Sequence, residues 1–255
     1  MATETISEKD HGRQTAGKQR LEVLLPALHR LDRMLERAVT AAESAYGTKA
    51  ASDPYRGLYI TRDDVDRMLV REPGAPVLLG RTQEAVDAPP DFPDLAWLQR
   101  TFGLCSFDLD VILIALAPEI DLRYERLYAY LQDDVSRQRP SVDLVLNLLC
   151  ATVEAKFHGR THFAPDAPLI RRRLLHMLPD GSLGRPALLA QYIQLDESLV
   201  RLLLGQSYLD PRVAPYAHLS KPELELNAAP LPDGARRALS ALIAQTRTAA
   251  RPARF

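Results

Sequence analysis

The sequence predicts a mainly α-helical chain with one small β-hairpin. Three stretches carry that expectation. Phe102 to Cys150 breaks into three short apolar or amphipathic runs at helical spacing; Leu174 to Leu195 holds two short runs around the turn residues Pro179-Asp180-Gly181-Ser182; and Arg20 to Tyr46 carries a leucine stripe with a 3.6-residue period.

In the central stretch, Ser106 caps a first helix with Asp108 and Asp110 in its opening turn, where the helix dipole favours negative charge. Val111 to Leu116 is apolar all round, which suits a helix at the centre of a domain, and Pro118 ends or bends it. Tyr124, Leu127, Tyr128 and Leu131 form one stripe of a second helix. Pro140-Ser141 opens a third, where Val142, Val145, Leu146 and Leu149 repeat the spacing. Leu174 to Leu178 and Ala187 to Leu195 read as a hairpin, although the first run could equally finish a preceding helix. Asp196 then caps a helix through Leu204, stopped by Gly205. Three helices and a hairpin make a winged-helix-like domain in outline.

Residues 1–18 are polar and read as a disordered tail. Within them Gly12-Arg-Gln-Thr-Ala-Gly17-Lys18 imitates GxxxxGK. A phosphate loop needs a hydrophobic strand before it and Ser or Thr after the Lys, whereas here the context is polar and Gln19 follows. It is a decoy. The leucines Leu24, Leu28, Leu31 and Leu35 fit packing on the chain's own domain better than a coiled-coil seam, because the repeat is short; Pro26 kinks that helix or marks its start. Thr61 caps a further helix with Asp63 and Asp64 in its first turn; Pro76 to Asp91 reads as a surface loop or linker, and Asp94 to Phe102 as a helix leading into the centre. Ala151 to His162 is predicted helical, with His158 and His162 at i, i+4; no complete metal-ligand set is visible, and a solvated face is the simpler reading. Gln206 to Pro232 is a Pro-rich arm, and Asp233 caps a last helix to Arg247. The resulting division is tail 1–18, helical region 19–98, winged-helix-like domain 99–205 with a small β-hairpin wing, and arm plus C-terminal helix 206–255.

With 46% hydrophobic and 25% charged residues, the composition is ordinary for a globular protein. A formal net charge of −1 gives no global pull toward nucleic acid or anionic membrane. No apolar run is long enough to span a bilayer, and the first residues lack the apolar core of a secretory signal, so a cytoplasmic location is expected. Cys105 and Cys150 are expected to be reduced core thiols.

FGLCSFDLDVILIALAPEIDLRYERLYAYLQDDVSRQRPSVDLVLNLL, followed by FAPDAPLIRRRLL and YIQLDESLVRLLLG, resembles the winged-helix region of a group of bacterial AAA+ ATPases often associated with contractile injection systems. The resemblance spans about residues 21–242 and carries no catalytic motif. It implies an N-terminal region preceding an ATPase module, with ATP and magnesium belonging to the longer parent and no cofactor in this chain. It also implies protein partners: the ATPase module, neighbouring subunits or a client.

No nucleophile–base constellation stands out, so catalysis is not expected. A groove-reading third helix between Ser141 and Cys150 would offer only Asp143 and Asn147, which argues against DNA. The preferred reading is a non-catalytic recognition and assembly region. Arg137, Arg139, Leu144, Leu148, Arg171, Arg172 and Arg173 are the candidate partner-binding residues, and a winged-helix DNA-binding module is the alternative.

Overall fold

The computed structural model describes residues 4–46, 60–78, 92–179, 186–206, 213–218, 225–226 and 228–248; the side chains of 4–19, 45–46 and 245–248 lie outside that description. Asp180 to Ser182 of the expected turn and residues 79–91 of the expected linker therefore fall outside it. The chain forms two compact units, Met1–Ser207 and Tyr208–Phe255.

In the first unit, α1 (Glu4–Tyr46) runs through Pro26 and lays Leu24, Leu28, Leu31 and Leu35, with Ala27, Ala38 and Ala42, into the core. The leucine stripe is thus an intradomain seam. The helix also takes in residues 4–18, expected as a disordered tail: Glu, Lys, Gln, Arg and Ala are good helix formers, and a helix nucleated on a buried face propagates through them. Next, α2 (Arg62–Val70) opens with a Thr61–Asp64 capping box and buries no residue. α3 (Pro93–Phe102) ends on Gly103, whose φ of 68° is the left-handed conformation of a helix stop.

The core is organised on α4 (Ser106–Ile120), with Leu109 and every residue from Val111 to Ala117 buried. Its N-cap is Cys105 rather than Ser106, and it continues past Pro118 by a further half turn. Around it pack α1, α5 (Arg123–Leu131) and α6 (Val142–Leu149). After the three-residue turn Cys150-Ala151-Thr152 comes α7 (Val153–Gly159), which tightens into a 3-10 turn over Arg160–Phe163. A short α8 (Pro168–Arg171) leads into β1 (Leu175–Leu178), so that run is a strand and not the end of a helix. The second arm of the hairpin is shorter than expected: Leu188–Ala190 is a 3-10 turn, and only Tyr192–Leu195 forms β2. The strands pair antiparallel, Leu175 opposite Leu195 and Leu178 opposite Tyr192. Asp196 caps α9 (Glu197–Leu203), which turns off at Gly205. Arg20 ties the two ends of this unit together by donating to the carbonyls of Leu203 and Leu202, both at 2.8 Å.

In the second unit the described helix is α10 (Asp233–Thr248), with Asp233 in its first turn rather than at the cap. Arg236 donates to the carbonyls of Ala229 and Leu231, fixing the chain that enters the helix.

Candidate docking face

The residue just before α6 settles which helix a nucleic-acid reader would use. Ser141 forms an isolated antiparallel bridge with Tyr192, so the chain entering α6 is the third rung of the sheet, beside β2. Between α5 and α6 lie the ten residues 132–141, whereas only three separate α6 from α7. The short-turn helix pair of this domain is therefore α6–α7, and its second helix is α7, not the stretch Ser141–Cys150.

This revises the assignment of α6, and its packing explains why. Val142, Leu144, Val145, Leu146 and Leu148 are all buried. Leu144 and Leu148, expected on a docking surface, belong to the core and present nothing to a partner. The polar residues of α6 are consumed internally. Asn147 Oδ1 accepts from the Val77 backbone N–H at 3.1 Å and from Lys156 Nζ at 3.0 Å, while its amide donates to the Asp143 carbonyl and carboxylate, both at 2.9 Å. Lys156 also reaches the Asp143 carboxylate at 3.2 Å. The contact with Val77, together with the burial of Leu78, turns the start of the expected linker 76–91 into a clamp on α6.

α7 is held close to the core by Gly159, where an added Cβ would lie 2.8 Å from Leu146 Cδ2 and 3.0 Å from Cys150 Sγ. Its outer side exposes Glu154, Phe157 and His158. Between this side and the hairpin runs a groove of about 570 Å³, whose lining includes Phe157, Phe163, Ile170, Met177 and Leu188, with Arg160 as its one charged lining residue among the described residues. Phe157 is 68% exposed, a large apolar side chain left in water at the place where a duplex reader needs hydrogen-bond donors. Arg171, Arg172 and Arg173 follow Ile170 directly and are exposed, with no side-chain ion pair to a described residue. Arg139 is exposed too. Arg137 is half-buried against Asp134 at 3.3 Å, and both carbonyls, of Arg137 and Arg139, accept from Gln132. The five arginines are thus surface residues, and the two leucines grouped with them are not.

A second cluster lies at the N-terminus of α4. The Asp108 carboxylate is buried, accepts the Cys105 backbone N–H at 2.9 Å, and meets His162 Nδ1 at 2.8 Å. Cys105 Sγ lies 4.0 Å from the same nitrogen, and the His162 ring packs on Phe107 with centroids 4.6 Å apart. Cys105 is an exposed cap rather than a core thiol, while Cys150 is buried as expected. Although the residue is exposed, partial desolvation of its sulfur raises the Cys105 thiol above its ordinary value, and the negative charge of Asp108 adds to that. His162, expected on a solvated helix face, is instead tied to Asp108. Because one nitrogen faces both the thiol and the carboxylate, the imidazole cannot relay a proton from one to the other, as a nucleophile–base–orienter triad requires. The i, i+4 histidines were the visible signal of this cluster; the apolar groove had none.

No curated protein and no solved structure matches the chain. The rung at Ser141, the short-turn pair α6–α7 and the hairpin that follows are the parts of one domain type, and the model of the family described as "Winged helix domain, variant" matches residues 7–217: the chain belongs to that family.

Proposed function

We propose that this chain is a non-catalytic recognition and assembly module, docking protein partners in the groove between α7 and the hairpin. The observation that carries the reading is the apolar lining of that groove, with Phe157 exposed over it. Exposed apolar surface of this kind gains free energy when a partner covers it. Arg160 in the groove and the run Arg171 to Arg173 beyond Ile170 favour an acidic segment carrying an apolar anchor. In line with the resemblance to bacterial AAA+ proteins, the partner belongs to an ATP-driven assembly: the ATPase module, a neighbouring subunit or a client of an injection-type machine.

The DNA-binding reading keeps one specific support, the exposed basic run beside the hairpin. Against it stand the acid Glu154 and the apolar Phe157 on α7, where a reader helix presents Arg, Lys, Asn or Gln. Selection of binding peptides from a random displayed library, followed by titration of the selected sequences, separates the two. Enrichment of acidic peptides with an aromatic or aliphatic anchor is expected, with affinity falling at least about tenfold in Phe157→Ala and in Met177→Ala. Sub-micromolar, sequence-dependent duplex binding at near-physiological salt, lost when Arg171, Arg172 and Arg173 become Ala, would reverse the assignment.

A further inference from the structure

We propose that Cys105, Asp108 and His162 form a binding site for a zinc-type divalent cation, with the second imidazole, His158, able to supply a fourth ligand. The donor set is the first argument. A thiolate, a carboxylate and an imidazole are the three side-chain ligands zinc prefers, and each comes from a different part of the fold: the cap of α4, its first turn, and the 3-10 turn after α7. Their donor atoms all lie within 4.8 Å of one another.

Geometry is the second. Zinc bond lengths of about 2.0–2.3 Å in a tetrahedron put donor atoms roughly 3.3–3.7 Å apart. The observed separations straddle that value, 2.8 Å from Nδ1 to the Asp108 oxygen and 4.0 Å from Nδ1 to Sγ. Shifts of a few tenths of an ångström, opening the first pair and closing the second, bring those two into range. The third pair, Sγ to the Asp108 oxygen, lies within 4.8 Å and closes by rotation of the exposed Cys105 side chain. Asp108 already holds the Cys105 backbone through its other oxygen, and Phe107 holds the plane of the His162 ring, which is the kind of outer support that orients metal ligands. The His158 ring lies one turn back with its centroid 6.0 Å from that of His162.

Charge is the third. The N-terminus of α4 opposes a cation with about half a positive charge, but a thiolate and a carboxylate together bring two negative charges. The proton balance closes. Cys105 releases its thiol proton to solvent, and the proton on His162 Nδ1 passes to Nε2 through solvent, which breaks the contact with Asp108; the Sγ, Nδ1 and Asp108 oxygen lone pairs then form the three bonds to the ion.

The test is titration of the chelator-treated full chain with zinc chloride against a chromophoric chelator, and with cobalt(II) followed by absorption. One ion per chain is expected, with a thiolate-to-cobalt charge-transfer band, protection of Cys105 from a thiol reagent, and affinity lowered more than about tenfold in Cys105→Ser and in His162→Gln. Cys105→Ser keeps the fold testable, because Ser is a preferred helix cap, and circular dichroism checks it. No one-to-one binding by the wild-type chain, or equal affinity in Cys105→Ser, would overturn the site and leave Asp108–His162 as a cap and ion pair alone.

Discussion

The hydroxyl of Tyr128 donates a hydrogen bond to the carbonyl of Ile114 at 2.8 Å, fully buried, and Pro118 explains why that carbonyl needs it. In a regular helix the N–H of residue 118 would bond to Ile114; proline has none, so α5 supplies the missing donor to α4. Burial holds the Tyr128 phenol protonated, well above its ordinary range, so the donor persists at alkaline pH. Tyr128→Phe is expected to leave an unsatisfied buried carbonyl and cost about 1–3 kcal/mol. In a Pro118→Ala background the helix regains its own N–H, and the same substitution should cost clearly less. Denaturant melts of the four proteins measure this coupling, and strict additivity would refute the assignment.

Arg30 of α1 makes a two-pronged ion pair with Asp110 of α4, at 2.5 and 3.1 Å, with Arg30 buried and Asp110 nearly so. Removing Asp110 takes a two-pronged, oppositely charged partner away from the buried Arg30 guanidinium. Asp110→Ala should therefore cost about 3–5 kcal/mol in a denaturant melt. Replacing both residues by apolar ones of similar volume should recover part of the loss. A single-variant cost below about 1 kcal/mol would mean the pair behaves as an exposed one.

Much of this was legible in the sequence because local physics decides it. Val111 to Leu116 had no polar face and is the buried centre; Thr61 read as a cap with Asp64 in the first turn, and the two close a capping box. The role of α6 was not legible. A helix with Leu144 and Leu148 beside Val145 looks the same whether those leucines meet a partner or the chain's own core, and only the Ser141–Tyr192 bridge and the Val77–Asn147 contact decide it. The cap of α4 slipped by one residue because Ser106 is the better capping type, yet Cys105 holds the position. Asp108 and His162 are 54 residues apart, and no period in the sequence links them.

Cys150 gives an alkaline limit to stability. Burial against Leu146 and Gly159 pushes its thiol up to about 11, while the unfolded chain releases the same proton near 9.0. The raised value has a definite sign. Stability from this group is complete below the unfolded value, falls as the unfolded state ionises, and is lost as pH rises through the folded value. Melting temperatures measured from about pH 8 to pH 11 should fall across that window, and Cys150→Ala should flatten the fall while lowering stability throughout. Equal slopes in the two proteins would remove Cys150 as the cause.

Gly12 to Lys18 provides the last prediction. A phosphate loop works by leaving several backbone N–H groups free to converge on the ligand. In α1, which begins at Glu4, the N–H groups of this stretch are committed to carbonyls one turn back, as in any helix interior. Binding a nucleotide there would require unwinding about two turns of helix, and nothing in the polar sequence supplies the strand that would hold the open loop. Isothermal titration with Mg-ATP is therefore expected to show no heat of binding, and Lys18→Ala is expected to change nothing. Micromolar binding that disappears in Lys18→Ala would overturn this reading and make the N-terminal part of α1 a nucleotide site.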